Sequence, residues 1–252
     1  MSPPATTVPA SLRFLLLQVR NQDDPMRDHE RLVFSQALGI DAERCATVDL
    51  LTETLSPTQL DATDVVLLGG SGDYSATGDG DWLQRSLDLL RTLIERRQPT
   101  FASCWGFQAM ARAAGGTVVN NPDTAEVGTH ELFLTSSGRN DPVFSTLGHT
   151  FLAQMGHEDC VSVLPEHTTL LAFSQLNTHQ AYRFDNAPIY CTQFHPELTR
   201  DDLHLRVQTY PQYIERITGL TADQFIATLR ETRPAHALLR HFVETVFDGT
   251  SR

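Results

Sequence analysis

Four short apolar stretches in the first hundred residues limit the fold more than any other feature of the chain. Leu12 to Val19, Cys45 to Leu51, Asp64 to Leu68 and Thr100 to Ser103 each have strand length and read as strands buried on both faces. Helical patterns lie between them. Met26 to Leu38 stops at Gly39, and Trp82 to Arg96 carries Trp82, Leu83, Leu87, Leu90 and Ile94 at helical spacing, with Pro99 closing the connection to the next strand. Fully buried strands alternating with helices predict an α/β fold, a mostly parallel sheet covered by helices.

The second half changes character. Glu131 to Thr135, Leu170 to Leu176, Gln180 to Phe184 and Ile189 to Phe194 are separated by short polar turns that suit antiparallel strands. From Asp201 onward the pattern is helical: Asp202 to Ile217, Ala222 to Arg230, and Ala235 to Phe247 after Pro234. The expected organisation is a loose tail over residues 1–11, one domain over 12–200 and a helical extension over 201–252. The apolar stripe Leu238, Leu239, Phe242 and Val246 is expected to pack that extension back on the domain rather than onto a partner.

Composition narrows the partners. Nineteen Lys and Arg against 31 Asp and Glu give a net charge of −12, spread along the chain, which disfavours nucleic acid as a ligand. The longest apolar run, Phe14 to Leu17, falls far short of the roughly 20 residues that cross a bilayer, and MSPPATTVPA lacks the basic start and apolar core of a secretory signal. No membrane association is expected. The four cysteines are widely spaced with no CxxC pair, which fits a reducing cytoplasm and argues against zinc or a redox dithiol.

One cysteine stands apart. In FASCWGFQAMARAAGG, residues 101 to 116, a strand ends near Ser103, Cys104 occupies the turn, and a helix starts near Gly106 and ends at Gly115. A nucleophile at such a bend is exposed to substrate, while Ala102, Ser103 and Gly106 tolerate the crowded backbone. The helix N-terminus favours a thiolate, and the Trp105 N–H points to where an oxyanion would form. A base is available in QFHPE, residues 193 to 197, at the end of the apolar run IYCTQF. There His195 can take and return a proton and Glu197 can orient the imidazole. Both Cys104 and His195 then fall at strand carboxyl ends, where α/β sheets collect catalytic groups.

ASCWGFQ and QFHPE together resemble the class I glutamine amidotransferases, whose glutaminase domain carries an elbow of the form G-hydrophobic-C-x-G-x-Q and a later H-P-E. Ala102 replaces the usual glycine and Ser103 the usual aliphatic residue. GGSG at 69 to 72 resembles the family's glycine loop, with Ser71 where proline is common; MGHEDCVSVLPE and NTHQAYRF resemble segments of the glutaminase domain of GMP synthase. The resemblance spans residues 12 to about 200 and implies a flavodoxin-like sheet. It also implies a Cys104, His195, Glu197 triad and oxyanion donors at Gly70 and Trp105. Gln108 would bind the substrate's amino-acid end, with Gly156, His157, Glu158 and Asp159 as the opposite wall.

Plainer readings stand beside these. Cys45, Cys160 and Cys191 have no glycine-rich turn and read as packing. His157 either lines the pocket or satisfies a turn, and Glu126 and Gly128 either approach the pocket or form a glycine kink in a strand. GGSGDYSATGDG lacks the GK[ST] ending of a phosphate loop; Asp73, Asp79 and Asp81 read as a solvated turn, with Asp79 or Asp81 capping the next helix.

Three functions follow as expectations. The first is a glutaminase that frees ammonia from glutamine for a separate synthetase subunit, since no SGGxDS or P-loop motif is present. The second is a free-standing γ-glutamyl hydrolase or peptidase, and the third a non-catalytic regulatory relative, against which the intact Cys104, His195 and Glu197 argue. The substrate is glutamine or a γ-glutamyl small molecule, and no metal or organic cofactor is implied.

Overall fold

A computed structural model describes residues 8–247. Strands β1 (Phe14–Val19), β2 (Cys45–Asp49), β3 (Val65–Ser71) and β4 (Thr100–Ser103) alternate with helices α1 (Met26–Leu38), α2 (Pro57–Asp61) and α3 (Asp81–Glu95). Helix α4 (Trp105–Ala113) follows β4 directly. Then come β5 (Thr117–Asn120), β6 (Glu126–Leu134), α5 (Ser136–Asn140), β7 (Thr150–His157), β8 (Asp159–Val163), β9 (Thr168–Phe173), β10 (Ala181–Phe184) and β11 (Ile189–Thr192). Helices α6 (Arg200–Thr209), α7 (Pro211–Thr218), α8 (Ala222–Ile226), α9 (Arg233–His236) and α10 (Leu238–Phe247) complete the described chain.

The main sheet runs β2-β1-β3-β4-β11-β10-β9-β6-β7. Its first five strands are mutually parallel and the rest pair antiparallel, so the expected α/β sheet with antiparallel strands in the second half is what forms. β5 and β8 make a separate antiparallel pair.

Side-chain alternation along β1 explains the layers. Phe14 and Leu16 point into one core with Phe34 of α1, Phe101 of β4 and Phe242 of α10; Leu15 and Leu17 point into another with Leu87 of α3 and Met110 of α4. A strand with helices on both faces has no wet side, hence its unbroken apolar sequence. The C-terminal stripe does pack back: Leu238, Leu239 and Phe242 are buried, the Phe242 ring lies edge-on to Phe101 and Tyr190, and Val246 is partly buried against the same core. Val8 is also buried there, while residues 1–7 of the expected tail lie outside the described residues.

Local chemistry departs from expectation in three places. The helix expected over Asp202 to Ile217 is two helices, because Pro211 has no N–H to donate and steers Tyr210 out of the helical region (φ −126°, ψ 56°). The N-cap of α3 is Gly80, with no side-chain cap: Asp81 is already inside the helix and Asp79 turns away to Arg112. The strand before GGSG extends through Ser71, so Gly69 and Gly70 belong to β3.

Candidate active site

The elbow is built by strain and close packing. Cys104 has φ 51° and ψ −104°, outside the ordinary regions for a residue with a side chain, and such outliers persist only where the surroundings enforce them. Here the Cys104 N–H donates to the Thr192 carbonyl at the end of β11 (2.8 Å), and α4 is pressed onto β3. A Cβ at Gly106 would lie 2.6 Å from Leu68 Cβ, so only glycine lets the helix come this close. The first backbone N–H groups of α4, beginning with Trp105, have no partner inside the helix.

His195 arrives from the carboxyl side of β11. Its N–H donates to the Gln154 carbonyl of β7 (2.9 Å), and its Nδ1 lies 2.6 Å from Glu197 Oε1. Glu197 is wholly buried and His195 nearly so. The other edge of the ring faces Gly70, where an added Cβ would sit 3.1 Å from His195 Cε1 and 3.9 Å from Cys104 Cβ. Burial disfavours the imidazolium, but the Glu197 carboxylate and the Cys104 sulfur outweigh it and raise the ring's pKa to about 9. Burial likewise pushes the Glu197 carboxyl up, and the charge and hydrogen bond of His195, with the charge of Arg206, more than reverse that, leaving it below its ordinary value.

The structure therefore brings Cys104, His195, Glu197, Gly70 and Trp105 together. Gln108, buried on the first turn of α4, donates from Nε2 to the Asp159 carbonyl (2.9 Å) and to Gln193 Oε1 (3.2 Å). The Cys104 thiol can donate to the Gly156 carbonyl (3.6 Å). Asp159 accepts from Asn120 Nδ2 (2.8 Å) and from the Ser75 hydroxyl, while Glu158 pairs with Arg216 of α7 (2.6 Å). His157 does both things considered for it: it borders the cleft, and its two ring nitrogens lie against the Asp159 carbonyl (3.0 Å) and Glu126 Oε2 (3.2 Å). Glu126 also accepts from Asn177 (2.8 Å) and Gln180, and His157, Ser174 and Asn177 together hold its carboxyl below the ordinary value despite burial. Gly128 has φ +102°, and a Cβ there would meet the Phe225 ring of α8 at 2.9 Å, so this kink admits the helical extension.

These residues border an open cleft of about 820 Å³. Its remaining wall escaped the sequence reading: Arg20 and Asp24 after β1, then Leu203 and Arg206 of α6, Tyr210, and Tyr213 of α7. Arg20 is bound to Glu30 (3.1 Å) and Asp24 (2.9 Å), and Asp24 also accepts from the Tyr210 hydroxyl. An arginine ending an otherwise apolar run was the one visible signal of that network. Of the four cysteines only Cys104 is among the residues bordering this cleft. Burial raises Cys45 to about 11 and Cys191 to about 12, and pushes Cys160 up as well. A second cleft, of about 800 Å³, lies around Asp141, Arg183 and Tyr190 and holds none of the expected site residues.

The fold and the elbow define a class of protein, and the chain belongs to it: the family model for glutamine amidotransferase class-I matches residues 37–206, more than half of the sequence. Among characterised relatives, GMP synthase [glutamine-hydrolyzing] of Streptomyces avermitilis is 30% identical over 157 residues, 62% of this chain but 28% of that protein. The chain thus corresponds to little more than a quarter of that enzyme's length. Gamma-glutamyl peptidase 3 of Arabidopsis thaliana is 23% identical over 201 residues, covering 75% of this chain and 76% of the peptidase. The crystal structure of a glutamine amidotransferase from Thermotoga maritima superposes with a TM-score of 0.75 over 93% of this chain and 97% of that one, at 19% identity, a likeness of fold. Among the described residues no helix is long and apolar enough to cross a membrane.

Proposed function

We propose that the protein cleaves the side-chain amide of glutamine or of a γ-glutamyl compound through a thioester on Cys104. The Cys104 sulfur attacks the amide carbon, and the N–H groups of Gly70 and Trp105 hold the oxyanion, each contributing about 3 kcal/mol to lowering the barrier. His195 donates its proton to the departing nitrogen as the C–N bond breaks. Water, deprotonated by the same ring, then attacks the thioester; Cys104 leaves as thiolate and glutamate is released. Glu197 keeps the imidazole in register and stabilises its charge.

The observation that carries this reading is the buried His195 to Glu197 contact, with the opposite edge of the ring turned toward Gly70 and Cys104. Its test is ammonia release from glutamine by the purified protein: release that disappears in Cys104→Ala is expected, and full turnover by that variant would refute the role of the thiol. In one form of this function the ammonia passes to a separate synthetase subunit. A second form, hydrolysis of γ-glutamyl peptides, is favoured by the coverage of the plant peptidase along three quarters of its length and by α6 and α7 bordering the cleft.

A further inference from the structure

Among the described residues, one cation in the cleft makes no contact ion pair. Arg20 is matched by Glu30 and Asp24, and Arg216 by Glu158. Arg206 makes no side-chain hydrogen bond and has no carboxylate within 4.0 Å among the described residues, although its Nε and Nη2 are fully enclosed. Burial and the charge of Arg20 act against the guanidinium, with Glu197, Glu30 and Cys104 acting the other way. A half-buried guanidinium with two enclosed nitrogens and no hydrogen-bond partner is costly unless an anion arrives to meet it. Arginine suits that task because its planar fork fits a carboxylate with two parallel hydrogen bonds.

The place of α6 indicates where the anion would sit. The helix begins just past Glu197, and Tyr210 at its end donates to Asp24, the partner of Arg20, so Arg206 borders the cleft from the side of His195 and Arg20, whereas Gln108, Asn120 and Asp159 are joined to one another on the wall built from α4, β5 and β8. In amide cleavage at Cys104, the group beside the proton donor is the leaving amine. We propose that Arg206 binds a carboxylate on that amine, so that the preferred substrates are γ-glutamyl amino acids or peptides with a free carboxylate rather than glutamine. The inference rests on the amide-cleavage reading above. The reaction balances as γ-glutamyl-NH-CHR-COO⁻ plus water giving glutamate and the free amino acid: the C–N bond breaks, nitrogen takes the proton from His195, and water supplies the oxygen of the new carboxylate.

The test compares γ-glutamylglycine, γ-glutamylglycinamide and glutamine as substrates of the full chain. The wild type is expected to favour the carboxylate over the carboxamide by about ten- to a hundredfold in kcat/KM. Arg206→Gln should bring that ratio close to one, and Arg206→Lys should restore part of it. Equal rates on the two dipeptides in the wild type, or a ratio that survives Arg206→Gln, would overturn the assignment. So would a uniform loss on all three substrates with the ratio intact, since that would mean Arg206 acts only through Glu197 and His195. If Arg206→Gln does not fold, calorimetry on Cys104→Ser with the same dipeptides decides: tighter binding of the carboxylate supports the assignment, and equal affinity removes it. Cleavage of all three substrates at equal rates removes the inference and leaves the amide-cleavage reading standing. Carboxylate-selective binding to Cys104→Ser, with no cleavage by the wild type, does the reverse.

Discussion

Two buried histidines border the same cleft, each beside a buried glutamate, yet the sheet presents them differently. His157, at the end of β7, has both ring nitrogens against fixed acceptors, the Asp159 carbonyl and Glu126. His195, just past β11, has Nδ1 on Glu197, while its Nε2 edge is bordered by the backbone of Gly70 and Gly156 and by Cys104, with no fixed acceptor bonded to it. An imidazole whose two nitrogens are both committed holds structure together; one with a free edge beside a thiol can move a proton. Burial and a carboxylate neighbour are common to both residues, so neither property identifies a catalytic histidine. The proposed catalytic role of His195 rests instead on the edge of its ring that no hydrogen-bond acceptor holds, beside the thiol.

The largest test of that contrast is removal of the free-edged ring. His195→Ala should lower amide hydrolysis by about 10⁴-fold, because nucleophile and base act as a unit, and steady-state ammonia release would show it. Glu197→Gln should cost about 10³-fold and also move the pH profile. With the carboxylate present, His195 stays charged up to a pH of about 9, so kcat/KM should fall as pH rises through that value; with glutamine in its place, burial dominates and the falling limb should shift to lower pH. The linked stability has the same sign. A raised histidine pKa stabilises the fold fully below about 6.5, and that contribution is lost as pH rises through about 9.

Gly70→Ala would crowd the free edge, since the new methyl would stand 3.1 Å from the ring, and a loss of about 10²-fold in kcat is expected. His157→Ala should have the smallest effect on rate, about tenfold through the Gly156 to Asp159 wall. It should instead lower stability by about 1–3 kcal/mol in chemical denaturation, because Glu126 loses a partner in a buried site. A loss of rate as large as that of His195→Ala would erase the distinction between the two residues.

The parallel half of the sheet was legible because strands covered on both faces have to be apolar throughout, and the elbow because a thiol at a strand-to-helix bend leaves few sequences available. The antiparallel half was harder to read. β7, β8 and the half-exposed β5 were not anticipated: β8 leaves the main sheet after Glu158 to pair with β5, a pairing that no local pattern announces. The third wall of the cleft was invisible for a similar reason. Arg206, Tyr210 and Tyr213 lie far along the chain from Cys104, and the turn between α6 and α7 at Pro211 brings them to the cleft. Sequence reading found the residues fixed by local backbone chemistry and missed those that depend on how distant segments are packed.

The central claim is that His195 activates Cys104 and leaves the other three cysteines inert. Intact-mass and peptide mapping after exposure to a glutamine diazo ketone tests this most directly, on the wild type and on His195→Ala. One adduct confined to Cys104, formed much more slowly in the variant, is the predicted result. Adducts spread over Cys45, Cys104, Cys160 and Cys191, or equal labelling rates in the two proteins, would contradict it.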